Sequence, residues 1–142
     1  MTSNRATKST PRPSLDRGSR YHYRFALLAA REAEKVLPLF EREHPDDRRP
    51  RQAIAAIREW AEGRRELGMA EVRSLSLGAH AAARGASSDA AKYAARAAGQ
   101  AVATWHVPTH AMGAPIYACK AILASEKRDP KHLVLRKQKP SR

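Results

Sequence analysis

Residues 88–110 read SDAAKYAARAAGQAVATWHVPTH. Eight of the first seventeen residues are Ala and none is Pro. Ala gives up no side-chain entropy in a helix and is the strongest helix former, so a helix is predicted over 88–104. Ser87, Ser88 and Asp89 are candidate N-caps. The Ala residues do not keep to one stripe. A helix that is small and apolar on most sides lets neighbours approach closely on several faces, which places it at the centre of a bundle. One line breaks the pattern: Lys92, Arg96, Gln100 and Thr104. A spacing of four keeps these residues near one another, drifting by about 40° per step. A polar line on an otherwise buried helix must reach solvent, partner groups inside the fold, or a ligand.

Outward from this stretch the pattern stays helical. From Tyr21, the residues Phe25, Leu28, Ala29, Ala33, Val36, Leu37 and Phe40 follow one helix face, with a kink or restart expected at Pro38. Asp46 and Asp47 with Pro50 signal a second helix start. Its apolar face is Ala53, Ile54, Ile57 and Ala61, Trp60 lies on its flank, and Gly63 is a candidate residue just past its end. A third helix is predicted from Met69 to Arg84, interrupted by Gly78. Val107-Pro108 breaks the chain after the central helix. A fifth helix follows over about 109–125, with Met112, Ile116, Cys119, Ile122 and Leu123 as core candidates and Cys119 read as a buried thiol. Asp129-Pro130 is a candidate start for a short last turn through Leu135. No alternating apolar run suggests a strand. The expectation is an all-α protein, a compact bundle of about five helices over 21–125. A disordered basic leader is expected over 1–20 and a basic tail over 126–142.

Composition sharpens this. Twenty-eight of the 142 residues are Ala, against two Phe, two Trp and four Tyr. Tightly packed helices are favoured over a thick aromatic core. One cysteine excludes an internal disulfide. No membrane span and no secretory signal are visible, so a cytoplasmic location is expected. The formal charge is +13. Residues 1–20 hold +4 of it and 126–142 hold +5, leaving +4 for 21–125. Basic tails make non-specific, salt-dependent contact with polyanions. They say little about the folded core.

Several residues could carry recognition chemistry. His106 and His110 are four apart, a spacing that can hold a metal on one helical face, but Pro108 lies between them and no HExxH pattern accompanies them. No cofactor is expected. His80 and Arg84 share a helix face. If their helix packs antiparallel to the central one, they meet Arg96, Gln100 and Thr104, either as a structural tie or as a recognition groove. DDRRPR at 46–51 pairs a helix start with Arg forks, which suits either capping salt bridges or an anion. Trp60 and Trp105 are candidate contact residues. No dinucleotide, P-loop or nucleophile-elbow motif occurs, and no basic helix presents a DNA-reading face.

Three segments together carry a family resemblance: HPDDRRPRQAIAAIREWAEG (44–63), LGAHAAARGA (77–86) and AARAAGQAVATWHVPTHAMGAPIYACKA (94–121). They resemble the Imm-5-like family of bacterial immunity proteins, and FALLAAREAEKVLPLFE (25–41) is similar to that family's opening helix. The resemblance implies a small helical protein that neutralises a cognate toxin by stoichiometric binding, without catalysis. A monomer or small homo-oligomer is expected. The matching positions are Asp47, Arg48, Pro50, Arg51, His80, Arg84, Arg96, Gln100, Thr104, His106 and His110. A nucleic-acid-associated protein, and a metal- or small-molecule-binding protein using His80, His106 and His110, are the alternatives.

Overall fold

The computed structural model describes residues 17–128. Five α-helices follow one another: α1 (Arg20–Glu41), α2 (Arg49–Ala61), α3 (Met69–Arg84), α4 (Asp89–Ala103) and α5 (Gly113–Arg128). A 3-10 turn, Pro108–Met112, joins α4 to α5. No strand occurs among the described residues, so the all-α expectation holds. Residues 1–16 of the expected leader, the last turn after Asp129 and most of the basic tail lie outside the described residues. Residues 17–20, expected in the leader, instead lead into α1, with Ser19 as its N-cap and Arg20 as its first residue.

The Ala-rich helix is the axis. α1, α2, α3 and α5 all pack on α4. α3 and α5 flank it without approaching each other within 8 Å between Cα atoms. Ser88 starts α4 by accepting a hydrogen bond from the Ala91 N–H at 3.1 Å. Ala90, Ala91, Ala94, Ala95, Ala97, Ala98, Ala101 and Val102 are buried around it. Where Ala meets Ala, helix axes approach toward the short end of the ~8–10 Å range.

That close approach corrects the expected core of the fifth helix. α5 buries Ala114, Ala118 and Ala121 against its neighbours. Met112, Ile116, Ile122 and Leu123 are exposed instead, and so is Cys119. An Ala-lined seam has no room for large side chains, so they stand on the outer face.

The remaining helices follow their local signals. α1 buries His22, Ala26, Ala29, Ala30, Ala33, Val36, Leu37 and Phe40, while Leu28 faces solvent. It runs through Pro38 to Glu41 as one element, so the expected restart is absent. Pro38 removes one backbone donor close to the end of the helix, where few helical bonds remain to be lost. α2 begins with Pro50 in its first turn and ends before Gly63, whose φ of +75° only glycine adopts freely. α3 spans Met69–Arg84, as predicted. Inside it, a Cβ added at Gly78 would meet the Arg49 side chain at 3.7 Å, an ordinary contact. Gly78→Ala is therefore expected to stabilise the fold by about 0.5–1 kcal/mol through helix propensity alone. Urea denaturation checks this, and a loss of stability would show that Arg49 cannot yield.

Candidate functional site

Three regions gather the residues singled out by sequence. The first is the DDRRPR edge. Asp47 Oδ1 accepts from the Arg49 backbone N–H at 3.1 Å and from Arg49 Nε at 2.9 Å. The Arg49 guanidinium holds the Asp47 carboxyl below its ordinary pKa. Arg51 Nε donates to Glu41 at 2.8 Å and ties α2 to α1. Two of the three arginines are thus committed to acids within the fold. Arg48 is exposed and takes part in no ion pair among the described residues.

The second region is an aromatic cleft of about 820 Å³. Trp60 on α2 and Trp105, just beyond α4, both line it, 45 residues apart in sequence. Tyr23 on α1 joins them and stacks on Trp60 with ring centroids 4.4 Å apart. The Arg17 guanidinium lies 4.1 Å from the centroid of the Trp105 ring. The α2–α3 connection supplies the rest of the wall, with Arg64, Arg65 and Leu67 beside the acids Glu62 and Glu66. Arg64 pairs with Glu62, and Arg65 with Glu59 and Glu71.

The third region is the polar line of α4. The helical drift carries it from outside to inside. The Lys92 side chain is 40% exposed, Arg96 and Gln100 are half-buried, and Thr104 is fully buried. α3 runs antiparallel alongside, and the expected meeting occurs. An Arg96 guanidinium nitrogen lies 2.8 Å from His80 Nδ1. Guanidinium only donates, so Nδ1 accepts and the His80 proton sits on Nε2. Burial pushes the His80 pKa down, and the charges of Arg96 and Arg84 and the neighbouring His110 push the same way. Ser76 Oγ donates to the Gly99 carbonyl at 3.2 Å. On the other side, His110 Nδ1 lies 3.0 Å from Gln100 Oε1, with the imidazole donating. Thr104 Oγ1 donates back to the Gln100 carbonyl at 3.3 Å. No carboxylate pairs with Arg84 or Arg96 among the described residues. The line is a tie between helices and, at its Lys92 end, the floor of a groove.

The histidines do not converge. Val107 is extended (φ −132°, ψ 110°) and Pro108 starts a 3-10 turn, so His106 and His110 do not share an α-helical turn. His106 is exposed, whereas His80 and His110 are engaged with Arg96 and Gln100. Among the described residues no three His, Cys, Asp or Glu side chains gather to hold a metal ion.

One buried group was not singled out by sequence. His22 is fully buried in the first turn of α1. Its Nδ1 accepts from the Gly18 N–H at 2.9 Å, so its Nε2 carries the proton and donates to the Thr104 carbonyl at 2.6 Å. The ring also packs on Trp60 at 4.8 Å between centroids. His22 thus bolts the start of α1 to the end of α4, directly behind the aromatic cleft. A signal existed: His22 shares the helical register of Ala26, Ala29 and Ala33, the buried face of α1.

No helix among the described residues is long and apolar enough to cross a membrane. The pattern that defines the family described as "Imm-5 like putative immunity protein" matches residues 18–139 of the chain. No curated protein and no solved structure matches it.

Proposed function

We infer that this chain, which belongs to the Imm-5 like immunity protein family, neutralises a protein toxin by binding it one to one, with no chemistry of its own. The observation that carries the contact surface is the convergence of Tyr23, Trp60 and Trp105 on one cleft, whose rim carries the ion-paired Arg64 and Arg65 with Glu62 and Glu66. Tyr, Trp and Arg are the side chains that dominate binding energy at protein interfaces, above all when they surround a pocket. Tyr23 and Trp60 are already stacked, so little freedom is lost when a partner covers them. The family supports a binding role rather than a reaction. The polar side chains also support it: His80 and His110 are engaged with neighbours, and Cys119 stands on the surface with no hydrogen-bonded base among the described residues.

The test is co-expression with candidate toxins encoded near this gene. The wild-type chain is expected to protect the cells and to form a 1:1 complex by calorimetry. Tyr23→Ala and Trp60→Ala are each expected to weaken that complex by about thirtyfold or more, the scale of a hot spot. Undiminished affinity in both variants would move the contact elsewhere. A neighbouring toxin that neither binds nor is neutralised would overturn the immunity reading.

A further inference from the structure

We propose that the groove on the outer face of α4, between α3 and α5, seats an acidic polypeptide segment carrying apolar anchors. This deepens the proposed function by stating the chemistry of the partner, and it rests on that reading only in taking the partner to be the toxin.

Charge is segregated in this fold. From Val72 to Ser125 the chain holds a single acidic residue, Asp89. Eight of the nine ion pairs among the described residues fall within residues 32–71, on the α1–α2 side and the start of α3. The ninth, Lys92–Asp89, lies on the groove side and is loose at 3.7 Å. At this end of α4, Arg84, Lys92, Lys120 and Lys127 line a cavity of about 720 Å³, with Asp89 the single acid in its wall. Glu43 and Glu126 lie outside that wall, and each is already engaged. Arg96 continues the positive floor one turn further along. Cations drawn together without carboxylates repel one another, and a ligand that brings carboxylates relieves that repulsion.

The wall of the groove is not only charged. Ile116, Lys120, Leu123 and Lys127 recur at one-face helical spacing on α5. Ile116 and Leu123 are 55% and 54% exposed, and Leu123 lines the cavity. Phosphodiester chains satisfy lysines but offer no aliphatic side chain to cover Ile116 and Leu123. A polypeptide supplies both. Successive turns of α4 present cations about 6 Å apart. Alternate residues of an extended strand present carboxylates at nearly the same interval, about 6.7 Å. Several receiving groups are pre-set. Lys92 and Lys120 lie 5.0 Å and 5.7 Å from the Tyr93 ring, Lys120 lies 5.2 Å from the Tyr117 ring, and His80 holds Arg96.

The experiment is an NMR titration of the full-length ¹⁵N-labelled chain with a blocked octapeptide, Glu-Ser-Glu-Leu-Glu-Ser-Glu-Leu. Saturable shifts are expected at the amides of Lys92, Arg96, Gln100 and Lys120. The peptide with Gln in place of Glu is expected to bind at least tenfold more weakly. So is the acidic peptide to a Lys92→Glu/Lys120→Glu chain. Should that variant fail to fold, Leu123→Ser is expected to cost at least threefold. The proposal is overturned by shifts confined to residues 1–16 and 129–142. Unchanged binding in the variants overturns it too, as does an oligothymidylate of eight nucleotides that occupies the groove more tightly than the peptide. Failure of the neighbouring toxin to bind would sink the immunity reading and leave the peptide result standing. A Lys92→Glu/Lys120→Glu chain that captures the toxin at full affinity would show that the groove's segment is not the toxin's.

Discussion

Replacing His22 with alanine is expected to lower the unfolding free energy by about 3 kcal/mol. His22 is the one fully buried ionisable side chain among the described residues. Both ring nitrogens are satisfied, by the Gly18 N–H at 2.9 Å and the Thr104 carbonyl at 2.6 Å. Truncation leaves a cavity beside Trp60 and two backbone groups that must find water. A cavity of this kind and an orphaned polar group each cost on the order of 1–3 kcal/mol, and partial relaxation brings the sum back toward the middle. Urea denaturation at pH 8 measures it. A change below about 1 kcal/mol would show that α1 does not depend on this bolt.

The same burial gives stability a pH dependence. A second proton on His22 would set an N–H against the Gly18 N–H, and burial holds its pKa below the ordinary 6.5. His80 is depressed in the same direction, by burial first and then by its cationic neighbours. For a depressed histidine the unfolded chain binds protons first. Its contribution is therefore complete above pH 6.5 and is lost as pH falls from there toward the folded-state pKa. The depressed carboxylates, Glu41, Glu62 and Asp47, act in a separate and lower window, below their ordinary values of 4.5 and 3.8. Stability is expected to decline already between pH 6.5 and 5, above the window in which Glu41, Glu62 and Asp47 act. His22→Ala flattens part of that slope. A wild-type profile that stays level down to pH 5 would contradict the neutral, bonded state of both rings.

The axis of the fold was legible because composition and position agree. Ala alone explains both why 89–103 is helical and why four helices can press on it. The bounds of α3 were legible from the two glycines that flank it, Gly68 and Gly85. The face of α5 was not. Its large residues and its Ala residues both recur at helical spacing, and hydrophobicity favours the larger set. Only the closeness of the Ala-rich α4 selects Ala114, Ala118 and Ala121 for the inside. His22 was missed for a related reason: apolar counting discards a histidine, although its register places it in the core. The His80–Arg96 contact followed from antiparallel packing of neighbouring helices. The openness beside it did not, because it depends on α3 and α5 staying apart. The placing of Trp60 and Trp105 on one cleft is likewise a tertiary fact with no local signature.

Gly99→Ala is expected to destabilise the protein by about 2 kcal/mol, although alanine is the better helix former by roughly 1 kcal/mol. A Cβ on Gly99 would lie 2.6 Å from His80 Nε2, 2.8 Å from its Cε1 and 2.9 Å from its Cδ2. All three are too short for carbon at rest. The ring is stiff and held on its far side by Arg96 at 2.8 Å. Either it swings away and releases Arg96, or α3 backs off α4 and stretches the Ser76–Gly99 bond at 3.2 Å. Gly113 meets a softer neighbour. There the clash is with the amide end of Gln100, with Oε1 at 2.7 Å, and a flexible side chain can turn aside. Gly113→Ala is expected to cost less than Gly99→Ala. A double-mutant cycle isolates the cause. In a His80→Ala background the added methyl has room, so Gly99→Ala is expected to become neutral or stabilising, a coupling of 1 kcal/mol or more. Urea denaturation of the four proteins reads the cycle. Were Gly99→Ala to stabilise the wild-type fold as Gly78→Ala does, the seating of His80 over a bare glycine would not be what fixes α3 against α4.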